Sequence, residues 1–212
     1  KPKYESIEKS KAFFSSFNSI RFNASCNYFE FEFDYNEFNS KAEDTRTKWI
    51  VCTQGTERYT WNRKLNMGKG AVEKIDVTQE LQLILNDAKI PYATGNNLIN
   101  AINNQSNAEF YKKLTRLLSV TLSLRHSNGQ VGETEKDFIL SPVKNDNGLF
   151  FNSNESDEGL PKDADANGAY HIALKGLWVL RQINEAEDMK KIKLAITNKE
   201  WLQFVQNKLY KI

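Results

Sequence analysis

Between Tyr28 and Tyr35 the chain reads Tyr-Phe-Glu-Phe-Glu-Phe-Asp-Tyr, a strict alternation of aromatic and acidic side chains. A strand sends successive side chains to opposite faces, so it alone sorts this pattern into one dry and one wet side. Phe29, Phe31 and Phe33 are expected on a core face. Glu30, Glu32 and Asp34 then read as a solvated face, not as a metal cluster. Two further strands are predicted at Lys48 to Thr53 and Arg58 to Arg63, and the intervening Gln54-Gly55-Thr56-Glu57 suits a hairpin joining them. A small antiparallel sheet follows.

The rest of the chain is mostly helical in period. Ile7, Phe13, Phe14 and Phe17 space a short helix between Glu5 and Phe17. Thr78 stands at a cap position before Leu81, Ile84 and Leu85, predicting a helix to Asp87. Phe110, Leu114, Leu117, Leu118 and Leu124 predict another from Asn107 to Leu124. Asn128 to Glu135 and Lys144 to Lys162 are rich in Asn, Gly, Asp, Glu and Ser and read as loops around a short strand, Phe138 to Leu140. The second loop divides the chain into residues 1–161 and 162–212. Beyond it Ala169, Ile172, Ala173, Leu177, Leu180 and Ile183 stripe a helix, followed by an extended stretch, Lys193 to Ile196, and a helix from Lys199 to Leu209. Such a helix, strand and helix exposes too much apolar surface to stand alone, and is expected to complete a sheet whose other strands lie elsewhere. The fold class is α+β.

Composition narrows the chemistry. With 212 residues, 40% of them hydrophobic, the chain can bury a substantial core. No apolar run reaches the roughly 20 residues of a membrane span, and the start lacks a secretory apolar stretch, so a soluble protein is expected. The first residue is Lys1, which fits a segment of a longer protein or a processed product. Cys26 and Cys52 lack zinc-type spacing, and His126 and His171 sit in different motifs, leaving no basis for a zinc or histidine-metal enzyme. No Walker-type glycine loop occurs. The net charge of +2 decides little by itself. Between Lys48 and Lys74, however, Lys48, Arg58, Arg63, Lys64, Lys69 and Lys74 outnumber Glu57 and Glu73 and interleave with Trp49, Tyr59 and Trp61. That segment reads equally as a nucleic-acid face or as core aromatics among solubilising charges.

The segment Asp163-Ala164-Asp165-Ala166-Asn167-Gly168-Ala169-Tyr170-His171-Ile172-Ala173-Leu174-Lys175-Gly176 resembles the last RuvC motif of the type V-A CRISPR effectors, RNA-guided DNA endonucleases. The likeness extends to Leu124-Arg125-His126-Ser127-Asn128, to Asp137-Phe138-Ile139-Leu140-Ser141-Pro142-Val143, to Asn198-Lys199-Glu200-Trp201, and to the opening Pro2-Lys3-Tyr4-Glu5-Ser6 with Phe13-Phe14. It is weakest between about Asn36 and Asn107.

The resemblance implies a Nuc domain over 1–161 and the third RuvC segment over 162–212. It implies that Asp165 is a catalytic carboxylate and magnesium ligand, one of three that the family draws from three RuvC segments; the other two have no counterpart here. Asp163 is the rival ligand. The physical sense is an acid at the mouth of a helix within reach of Mg2+, followed by Asn167, Gly168 and Ala169, small enough for the helix to approach a sheet closely. The resemblance also places a functional arginine at Arg125, acting in catalysis and on DNA, with Ser127 and Asp137 as DNA-binding neighbours. Against this, Arg125 reads from local sequence as a surface cation near a helix end, and Asp165 as a helix-start acid. Implied partners are target DNA, a CRISPR guide RNA and the remaining RuvC segments, with no membrane and a bacterial cytoplasmic location. The alternative reading is a standalone single-stranded nucleic-acid-binding or protein-interaction module without catalysis.

Overall fold

The computed structural model describes residues 2–35, 47–54, 57–123, 125–126, 138–144, 147–155, 159–192 and 194–206. Four helices and a sheet form its main body. The first helix, α1 (Ile7–Ser15), is capped by Ser6, whose side chain accepts from the Lys9 amide at 3.2 Å. Then β1 (Ser19–Asn23) and β2 (Tyr28–Tyr35) pair antiparallel, and β3 (Thr47–Cys52) adds to β2 with Phe31 opposite Val51. Two short strands and a longer one complete it: β7 (Phe138–Lys144) pairs β3 at Val143, β6 (Arg125–His126) and β8 (Phe150–Asn152). The hydrogen-bonded order is β1-β2-β3-β7-β6, with β8 also on β7. The fold is α+β, as the sequence predicts.

The alternation at Tyr28–Tyr35 is realised. Phe29 and Phe31 are fully buried in a core with Phe14, Ile20, Val51, Val77, Leu81, Leu114 and Tyr111. On the other face Glu30 bonds Lys144, Glu32 pairs with Lys48, and Asp34 accepts from Asn18. Three helices close the core: α2 (Val77–Asp87), α3 (Ile99–Asn103) and α4 (Ala108–Thr121). The Asn107 side chain caps α4 through the Glu109 amide at 2.8 Å.

Several expectations are corrected. The strands at 48–53 and 58–63 do not form a hairpin with each other. Val51 is already paired to Phe31 and Val143, so neither edge of β3 is open there. Instead β4 (Glu57–Asn62) pairs β5 (Ala71–Asp76), which lacks a clean sequence signal, in a separate two-stranded sheet. Their loop turns through left-handed residues Asn66, Met67, Gly68 and Gly70. The cap of α2 is Asp76, which accepts from the Gln79 amide at 2.9 Å. Thr78 is buried and spends its hydroxyl on Thr53, linking α2 to the end of β3 at 2.8 Å. The stretch expected as loop from Lys144 to Lys162 contains β8, and β7 runs on to Lys144, because the two strands pair. Leu124 and the loop from Asn128 to Glu135 lie outside the described residues.

After β8, helix α5 (Ala164–Glu185), a 3-10 turn (Met189–Lys191) and helix α6 (Asn198–Gln206) form the tail. Residues 194–196 carry no strand. An extended segment becomes a strand only by pairing, and no described strand runs beside it. At α6 a reciprocal cap forms: Glu200 accepts from the Thr197 amide at 2.9 Å while the Thr197 hydroxyl receives the Glu200 amide at 3.3 Å. Among the described residues no helix is long and apolar enough to cross a membrane.

Candidate functional site

The start of β7 is where the sequence-predicted positions meet. Arg125 lies opposite Ile139 and His126 opposite Phe138 in the β6–β7 register, and Phe138 also bridges to Asp163. One residue paired to two segments holds one on each side, so Arg125-His126 and Asp163 stand two strand spacings apart, roughly 10 Å. The structure thus brings the backbone of Arg125 and the mouth of α5 to the same end of β7. Ser127 and Asp137 lie outside the described residues.

A clasp that the sequence reading missed secures this junction. Ser153 is fully buried just after β8; its hydroxyl accepts from the Ile139 amide at 2.8 Å and donates to the Lys162 carbonyl at 2.6 Å. Its own amide donates to the Ile139 carbonyl at 2.9 Å. Buried polar groups must find partners, so these three bonds lock the segment before α5 onto β7. The signal was a single serine inside a polar stretch, indistinguishable there from a solvated one.

At the helix mouth the two acids divide their roles. Asp163 is the N-cap of α5: its side chain accepts from the Ala166 amide at 2.9 Å, and its carbonyl receives the Asn167 amide at 2.8 Å. Asp165, in the first turn, is exposed. Asn167 is buried, and its side-chain amide donates to the Pro161 carbonyl at 2.9 Å. This asparagine is therefore a brace for the preceding turn. Among the described residues close approach at Gly168 is not realised, because a side-chain carbon added there meets nothing within 4 Å.

The predicted apolar stripe of α5 faces outward. Ala169, Ile172, Ala173, Leu177 and Leu180 are exposed, Ile172 to 73%, whereas the buried line is Asn167, Leu174 and Trp178. His171 packs between the tail helices, 6.0 Å from the Trp201 ring, while the Lys175 ammonium stands over that indole at 5.4 Å. Burial, and then Lys175, push the His171 pKa down. His171 thus serves helix packing.

Among the described residues no group of three or more His, Cys, Asp or Glu side chains gathers in metal-binding reach. Asp165 offers one carboxylate, and Asp163 directs one of its oxygens to its helix. These residues do not by themselves make a complete magnesium site.

The basic and aromatic segment divides in two. Arg58 is fully buried, on the face of β4 that it shares with Ile75, and burial pushes its guanidinium down to about 10, still charged at neutral pH. It is withdrawn from any exposed basic face, because strand alternation turns it inward. Trp61, on the opposite face, is 58% exposed. The basic residues of α4 are committed: Arg116 to Glu73 at 2.9 Å, Lys112 to Glu109 at 2.6 Å and Lys113 toward Asp87 at 3.9 Å.

Compared with known protein families, residues 1–155 match the nuclease domain family NUC. The chain belongs to this family. The Nuc match runs from α1 through β8 and stops before the Asp163 cap, so the sheet, its helices and the β7 junction are Nuc elements and α5 begins beyond the matched span. A nuclease-related role follows for the chain.

Proposed function

We propose that this Nuc domain and the tail after it are the C-terminal part of a type V-A CRISPR effector, in which the domain positions DNA for phosphodiester hydrolysis at a RuvC site. The observation that carries this reading is the juxtaposition at β7: a Nuc sheet whose Arg125 strand lies across Phe138 from the mouth of a helix bearing the RuvC-like motif. Asp165, exposed in the first turn, is the proposed magnesium ligand. Asp163 holds the helix end, and Arg125 steadies a phosphate of the strand being cut, a task suited to a planar guanidinium. Ser127 and Asp137 are proposed as its DNA-binding neighbours. When bound, magnesium ions would supply activation of the nucleophile and stabilisation of the leaving oxygen, given two more carboxylates from the remaining RuvC segments. The outward apolar face of α5 supports a helix that packs on those segments, and target choice would rest on guide-RNA pairing.

The test is strand cleavage by the full-length effector, with guide-directed binding measured alongside. Asp165→Ala should abolish cutting of both strands while binding stays within about threefold of wild type, since pairing and backbone contacts govern binding. The isolated chain should not cut single-stranded DNA in magnesium. Normal cleavage by the Asp165 variant would remove it as the ligand.

A further inference from the structure

We propose that the outer face of the β4–β5 hairpin is a stacking platform for a single-stranded polynucleotide, with Trp61 as the base-stacking residue and Arg63, Lys64 and Lys69 as its phosphate contacts. The proposal rests on the nucleic-acid reading above but on none of its cleavage residues. Trp61 and Val72 are register partners on the outer face and both are exposed. The indole lies against the backbone of Gly70, where an added side-chain carbon would stand 2.6 Å from the ring. A glycine at φ +80° with a tryptophan on it holds the ring in one place while most of its surface stays open. A large aromatic held rigid and wet binds at little conformational cost.

The charges select the partner. From Arg58 to Ile75 the one acid is Glu73, which faces inward and accepts from Asn62 at 3.0 Å and Arg116 at 2.9 Å. Arg63, Lys64 and Lys69 are exposed on the connecting loop, at the same end of the hairpin as the Trp61–Val72 pair. The backbone of that loop is internally bonded: the Lys64 amide donates to the Asn62 side-chain oxygen at 3.0 Å, the Lys69 amide to the Asn66 carbonyl at 3.1 Å and the Gly70 amide to the Leu65 carbonyl at 3.0 Å. An exposed base stacker on a hairpin whose loop carries three exposed cations fits a strand whose bases are unpaired. A duplex hides the faces of its bases, so it is the poorer ligand.

Fluorescence anisotropy of the 212-residue chain with labelled 20-mers tests this: oligo-dT, oligo-rU, an abasic strand of equal length and a duplex. Wild type should bind oligo-dT or oligo-rU more tightly than the abasic strand, and the tighter of the two identifies the strand type. Trp61→Ala should weaken that binding about fivefold to 150-fold and erase the preference over the abasic strand, whereas Trp61→Phe should retain much of it. Replacing Arg63, Lys64 and Lys69 together by Gln should lower the slope of log affinity against log salt by about 2. Circular dichroism confirms that each variant folds. Unchanged affinity in Trp61→Ala, no preference for bases over the abasic strand, or no binding by wild type overturns the platform. A platform that fails while Asp165→Ala still abolishes full-length cleavage leaves the nuclease reading standing.

Discussion

The two acids at the mouth of α5 make the most discriminating perturbation, because the structure gives them different work within three residues. Asp163 caps the helix through the Ala166 amide at 2.9 Å, whereas Asp165 is exposed in the first turn. Replacing a capping Asp by Ala costs about 1 kcal/mol, and replacing it by Asn, which caps as well, costs a few tenths. Neutralising Asp165 removes a favourable charge from the helix N-terminus, about 0.3–1 kcal/mol. For a chain of this size each 1 kcal/mol moves the melting midpoint by about 2–4 °C. Asp163→Ala should therefore lower the midpoint by about 2–4 °C and speed amide exchange at Ala166 about fivefold, and Asp163→Asn should restore both. Asp165→Asn should leave the Ala166 amide protected. On the proposed function, cleavage by the full-length effector should run the other way: Asp163→Asn should retain most activity, and Asp165→Asn should lose it. Calorimetry, hydrogen exchange and single-turnover cleavage read the three quantities. If Asp163→Asn keeps the melting midpoint and still abolishes cleavage, Asp163 is the ligand and the division of roles is wrong.

Four further outcomes are expected. Arg125→Ala should slow strand cleavage less than Asp165→Ala does, with the larger deficit on the target strand and partial rescue by Arg125→Lys; wild-type rates on both strands would return Arg125 to a surface cation. Tyr111→Phe should cost about 0.5–1.5 kcal/mol in urea unfolding, because the buried hydroxyl donates to the Ile102 carbonyl at 2.8 Å, while that carbonyl keeps the Gln105 amide at 3.1 Å when the hydroxyl is lost. Burial pushes the Cys52 thiol up to about 12, so the folded state favours the protonated form; that stability is present at neutral pH and is lost as pH rises from about 9 toward 12. At pH 8 a thiol reagent should modify exposed Cys26 in the native chain and reach Cys52 only on unfolding.

The strand at Tyr28–Tyr35 and the helices near 7–15, 77–87 and 108–121 were legible because each buries one side of a repeating pattern, which local spacing records. The string from Asp163 to Gly176 carried a family resemblance, although its letters did not distinguish a capping acid from an exposed one. Partnership was not legible. β3 and β4 are adjacent in sequence and belong to different sheets, since strand pairing depends on which edges are already filled. Arg58 counted as a surface cation until the β4–β5 register turned it inward. Ser153 looked like loop, and only the approach of β7 and Lys162 from distant positions gives its hydroxyl two partners. Sequence determined which segments are amphipathic, since that is a property of neighbours along the chain. Tertiary structure decided which of their faces meet, and so which polar groups are buried with partners and which apolar surfaces, such as Trp61 and the outer face of α5, stay open.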